Sequence, residues 1–117
     1  MSFITQQNPQ IVNLGGFPLL LDRLGVLFDF TSEDVNFQLV YLDSGEETPA
    51  EVDSDSDIAG IVILGHGVIT LNGADYPVNA GYFFFIPRNV TRRLRSVGGT
   101  FLYCTFRSLC AAPPSDD

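Results

Sequence analysis

Apolar residues in this chain fall into short runs that are closed by turn-forming residues. The repeat is about eight to twelve positions, the spacing of strands and not of packed helices. Gly25 to Phe30 (GVLFDF), Val35 to Leu42 (VNFQLVYL) and Ile58 to Leu64 (IAGIVIL) read as strands. In the second of these, alternation puts Phe37, Leu39 and Tyr41 on one face. Val68 to Leu71 ends at Asn72-Gly73, a pair that accepts positive φ at both positions and so marks a hairpin. Tyr76 to Val78 runs into a second turn, Asn79-Ala80-Gly81. Tyr82 to Ile86 (YFFFI) is apolar on both faces and stops at Pro87, which has no N–H to offer a ladder. Arg92 to Arg95 alternates again, Val97-Gly98-Gly99 turns the chain, and Thr100 to Arg107 (TFLYCTFR) is the last strand. The best helical candidate is Pro18 to Leu24 (PLLLDRL). The pattern predicts an all-β fold, an antiparallel sandwich or barrel.

The 117 residues suit one domain, expected over 1–110, with a polar, Pro-rich and acidic tail at 111–117 predicted to be disordered. Apolar residues at 45% and charged residues at 17% are a globular composition. No apolar run approaches the roughly 20 residues of a membrane span. The start (MSFITQQNPQ) lacks the basic-then-apolar pattern of a signal peptide, so the expected compartment is the cytoplasm. Fourteen acids against six bases leave a net charge of −8, which argues against nucleic acid and anionic membrane as partners. All six bases are Arg, and Arg88, Arg92, Arg93 and Arg95 fall close together. Arg suits bidentate contact with carboxylate or phosphate, so a small anion is a candidate ligand. Cys104 and Cys110 are too few for a disulfide framework, and Cys104 reads as a small core residue. His66, the one histidine, stands between two glycines at a hairpin start and is expected at the surface.

The stretch from Gly45 to Phe106 resembles the cupin family of small jelly-roll barrels. The family's first motif is G-x5-H-x-H-x4-E-x6-G, and Gly45 and Gly65 occupy its terminal glycines. The second is G-x5-P-x-G-x2-H-x3-N, where Gly81 and Pro87 fit and Asn89 replaces the middle glycine. Asn is the usual substitute for Gly in left-handed backbone. The resemblance implies an antiparallel jelly-roll β-barrel. It also locates the family's metal positions, and none keeps its residue type. The two His positions fall on Glu51 and Asp53, the Glu position on Ile58, the third His on Arg92 and the closing Asn on Ser96. Arg stays protonated and does not ligate metal. The implied protein is a metal-free cupin with no cofactor.

Three readings of function follow. In the first, Arg92 clamps a small polar or anionic metabolite, sugar-like or carboxylate-bearing. Glu51 then serves as general acid or base in an isomerisation, epimerisation or elimination. Glu51 and Arg92 are the candidate catalytic residues; Glu51, Asp53, Arg92, Tyr41, Phe83 and Phe85 are the candidate ligand-binding ones. In the second, the barrel is a non-catalytic module for a partner or effector, and Arg92 with Glu51 and Asp53 is an internal brace. In the third, Glu51, Asp53 and Asp57 hold a metal through oxygen. The spacing Asp53-x-Asp55-x-Asp57 also matches the start of a calcium loop. Ile58 and Leu64 stand where that loop needs Gly and Glu, so the match fails. The acidic segment Gly45 to Asp57 is instead expected to be a flexible, solvated loop near the barrel mouth. The doubly apolar strand Tyr82 to Ile86 needs cover on its second face, and the expectation is a homodimer.

Overall fold

The computed structural model describes residues 9–13 and 25–109. The helical candidate Pro18 to Leu24 and the tail 111–117 lie outside the described residues. Eight strands are formed among the described residues. They are β1 (Gly25–Thr31), β2 (Val35–Leu42), β3 (Ile58–Leu64), β4 (His66–Leu71), β5 (Ala74–Asn79), β6 (Phe83–Ile86), β7 (Arg92–Ser96) and β8 (Phe101–Ser108). Each expected strand is present, and β2 and β3 have the expected bounds. No helix among these residues is long and apolar enough to cross a membrane.

All strand pairs are antiparallel, in a five-stranded sheet β1-β2-β8-β3-β6 and a three-stranded sheet β5-β4-β7. The chain changes sheets between β3 and β4, between β5 and β6, between β6 and β7, and between β7 and β8. That exchange makes the jelly roll. Asn72 and Gly73 turn the β4–β5 hairpin with φ of 49° and 87°, as their residue types require. Gly65, at the β3–β4 crossing, has φ +86°, and a Cβ there would run into the Thr100 carbonyl. Asn89 has φ 69°, so it does hold the left-handed turn.

Period-two alternation divides the apolar side chains between the two faces of the larger sheet. Val40 and Leu42 of β2 turn between the sheets and join Ile58, Val62, Ile69, Phe84, Ile86, Leu94, Phe101 and Tyr103 in the main core. Leu39 and Tyr41 turn the other way and cluster with Leu27, Leu102 and Cys104, with Phe28 and Phe37 packed against them. Strand β8 is therefore buried on both faces at Phe101 to Cys104.

The acidic segment after β2 is not a loose loop. Ser96 N–H donates to the Glu46 carbonyl, Thr48 N–H to Leu94 and Glu51 N–H to Arg92, each at 2.8–2.9 Å. Arg92 N–H returns a bond to Glu51 at 2.7 Å, and Asn89 N–H donates to Asp53 at 2.7 Å. Residues 46–53 thus run along β7 as a strap. Side-chain charge favours solvation, but β7 would otherwise present an unpaired edge, and the backbone of the strap satisfies it.

Candidate functional site

Between the sheets lies an open cavity of about 710 Å³. Strand alternation aims Val40 and Leu42 from β2, Ile58 from β3, Phe84 and Ile86 from β6 and Leu94 from β7 into it. Polar groups enter from β2 (Gln38), β7 (Arg92) and β8 (Tyr103, Thr105 and Arg107). The strap supplies Glu47, Glu51 and Asp53. Glu51, Asp53 and Arg92 therefore line one cavity, and Ile58 lines the same space.

Arg92 Nη2 donates to Glu51 Oε1 at 3.1 Å. The arginine side chain is 11% exposed and the glutamate 53%, so the pair runs from the interior to the mouth. Arg92 Nη1 is buried and has no hydrogen-bond partner. Arg107 Nε lies 3.2 Å from Asp53 Oδ2, with side chains 25% and 22% exposed. Its N–H is not aimed at that oxygen, so Nε too is buried without a hydrogen bond. Tyr103 is 3% exposed and stands close enough to feel both Arg92 and Glu51. Burial pushes its phenol well above the ordinary 10.0; Arg92 opposes that shift and Glu51 adds to it. Its hydroxyl is a neutral group able to donate a proton in a hydrogen bond.

Three expected ligand contacts fall elsewhere. Tyr41 is buried in the second cluster, on the opposite face of the sheet from the cavity. Phe83 and Phe85 are 64% and 51% exposed and point outward. The pairings Gly60↔Phe84 and Ile58↔Ile86 decide this, with the Phe84 ring filling the space that a Cβ on Gly60 would take. Phe84 and Ile86 are the inward residues of that strand. Arg107 and Tyr103 line the cavity and are not among the residues expected from the sequence. Their signal was available as the alternation Tyr103, Thr105, Arg107 against Leu102, Cys104, Phe106 in the last strand.

Asp57 is outside the cavity lining. It accepts the Arg88 backbone N–H at 2.9 Å and the Arg88 Nε–H at 3.3 Å. The backbone bond first, then the side-chain bond, hold its carboxyl below the ordinary 3.8. His66 is exposed at the start of β4, as expected.

A cupin-domain family model matches residues 38–105, more than half of the chain. The chain is a cupin. No curated protein matches it. Among solved structures, protein BH2720 of Bacillus halodurans is 18% identical, with a TM-score of 0.74, covering 97% of this chain and 88% of that one. Protein NMB1881 of Neisseria meningitidis is 16% identical, with a TM-score of 0.70 and coverage of 85% and 99%. An RmlC-like cupin family protein of Methanocaldococcus jannaschii, described as a double-stranded β-helix, is 18% identical, with a TM-score of 0.63 and coverage of 68% and 73%. At these identities the likeness speaks for the fold.

The residues at the cupin metal positions do not fit a metal. The two carboxylates at these positions, Glu51 and Asp53, face arginines, Ile58 offers no donor atom, and a guanidinium with a buried free N–H stands where the third histidine would be. A cation there would meet a fixed positive charge. The trio Glu51, Asp53 and Asp57 is not assembled, because Asp57 is bound to Arg88 outside the cavity. Among the described residues no three His, Cys, Asp or Glu side chains are grouped to hold an ion.

Proposed function

We propose that this cupin binds a small carboxylate-bearing or sugar-like metabolite in its barrel cavity without a metal, with Arg92 as the anchor. The observation that carries the reading is Arg92, which lines the cavity and whose buried Nη1 lacks an acceptor. A buried donor left unsatisfied costs about 1–3 kcal/mol, and a ligand oxygen would remove that cost. Glu51 sits beside the anchor as an acid or base for isomerisation, epimerisation or elimination. Tyr103 adds a second proton-bearing group, which enters the cavity from β8. The free, buried Cys104 in the second cluster suits the cytoplasm.

The competing reading, a brace, makes a different forecast. Glu51 is half exposed, so its carboxylate stays hydrated when Arg92 is removed. Arg92→Ala should therefore change stability by only about 1 kcal/mol. It should also abolish any rise in melting temperature produced by a panel of hydroxy acids and sugar acids. Arg93→Ala and Arg95→Ala should each shift stability by less than about 0.5 kcal/mol and keep the ligand response. A loss of about 3–5 kcal/mol in Arg92→Ala, with the ligand response intact, would identify a brace instead.

A homodimer is the second part of the proposal. Phe83 and Phe85 are joined on the outer face by Ile61 and Phe106, 43% and 46% exposed, through the pairings Ile61↔Phe83, Ala59↔Phe85 and Ala59↔Phe106. Such a contiguous apolar patch favours cover by another protein surface, and a second copy supplies one. Sedimentation at micromolar concentration should give twice the 12.8 kDa chain mass. The double variant Phe83→Ser, Phe85→Ser should sediment as a monomer. A monomeric wild type would dispose of the dimer.

A further inference from the structure

We infer that Arg107 is a second anchor for the same ligand, and that the ligand is a monocarboxylate with a compact apolar body. This rests on the cavity-binding reading above and goes further, because it selects one chemical class within it.

The first ground is placement. Arg92 stands on β7 of the smaller sheet and Arg107 on β8 of the larger, so the two guanidinium groups enter one cavity from opposing sheets. Each has a buried N–H without an acceptor. A carboxylate has two oxygens with lone pairs to spare, and can accept from a guanidinium on each side. A hydroxyl or carbonyl offers a single oxygen and no charge.

The second ground is charge. The side chains that are mostly enclosed are Arg92, Arg107 and Asp53, at 11%, 25% and 22% exposure. Glu51 is half exposed and Glu47 is exposed at the mouth, where water screens both. The enclosed set therefore holds two positive charges against one negative. One ligand carboxylate balances it; a dicarboxylate would overshoot.

The third ground is the wall. Val40, Ile58, Phe84, Ile86 and Leu94 are all buried and offer the ligand only hydrocarbon. Hydroxyls of a polyhydroxylated body that face this wall, and not Gln38, Tyr103 or Thr105, would be buried without partners, which is costly. An apolar body would gain from the same contact.

Titration calorimetry on the full chain, at fixed ionic strength, tests this with benzoate, benzamide and gluconate as probes. Benzoate should bind, benzamide should not, and gluconate should bind more weakly than benzoate. Arg107→Gln should weaken benzoate by about tenfold or more, the size expected for a lost charge-assisted bond. Asp53→Asn should tighten benzoate, since Asp53 competes for Arg107. Thermal melts establish that each variant is folded. Should Arg107→Gln not fold, Asp53→Asn and the probe order decide alone. Equal binding of benzoate and benzamide, a preference for gluconate, unchanged benzoate affinity in a folded Arg107→Gln or weaker benzoate binding in Asp53→Asn would overturn the inference. Gluconate binding that needs Arg92 but ignores Arg107 overturns it while sparing the broader reading. Binding of no acid at all defeats both.

Discussion

Replacing Gly65 with alanine is expected to lower the melting temperature by about 10–30 °C, the equivalent of about 2–4 kcal/mol in a domain of this size. Two costs coincide at this residue. Its φ of +86° lies in the left-handed region, where an L side chain is strained by about 1–3 kcal/mol. The added Cβ would also meet the Thr100 carbonyl, and backbone cannot swing aside as a flexible side chain can. Gly73 is the matched control. Its φ is nearly the same, +87°, but a Cβ there meets nothing within 4 Å. Gly73→Ala should show the strain alone, a drop of about 4–8 °C for about 1 kcal/mol. Equal drops in the two variants would mean that the β3–β4 crossing does not lie against the start of β8.

Truncation of Phe101 should be the most damaging change in the core. Phe101 is fully buried, with its ring 5.3 Å from that of Tyr103 and pressed over Gly67. Phe101→Ala should cost about 3–5 kcal/mol by chemical denaturation, since the cavity left by an aromatic ring closes only in part. Gly67→Ala alone should also destabilise, because its Cβ would push into the Phe101 ring and towards the Arg95 carbonyl. Removing the ring makes room for that methyl group. The double variant should therefore lose less than the sum of the two singles. Strict additivity would show that the ring does not rest on Gly67.

Much of the fold was legible because β-structure writes itself in short range. Asn72-Gly73 and Pro87 mark turns by their own backbone chemistry, and the strand runs between such marks were bounded by them. The acidic segment misled for an equally physical reason. Six acids in thirteen residues describe what its side chains prefer, whereas its path was set by backbone groups of β7 that needed partners. Phe83 and Phe85 read as ligand contacts in the sequence because aromatic residues line barrels. In a strand that is apolar at every position, alternation cannot say which half faces inward. The pairing of Gly60 with Phe84 settles it, and that contact joins residues on different strands.

By itself, the sequence determined the strand succession, the hairpin at Asn72-Gly73, the left-handed turn at Asn89 and the substitution of Glu51, Asp53 and Arg92 for metal ligands. These follow from local backbone preference, alternation and the identity of single residues. Only the tertiary structure decided which face of each strand turns inward, that the strap lies on β7, and that Arg107 and Tyr103 share the cavity with Arg92. Those outcomes depend on register between strands far apart in the chain, where a shift of one residue exchanges the buried face for the exposed one.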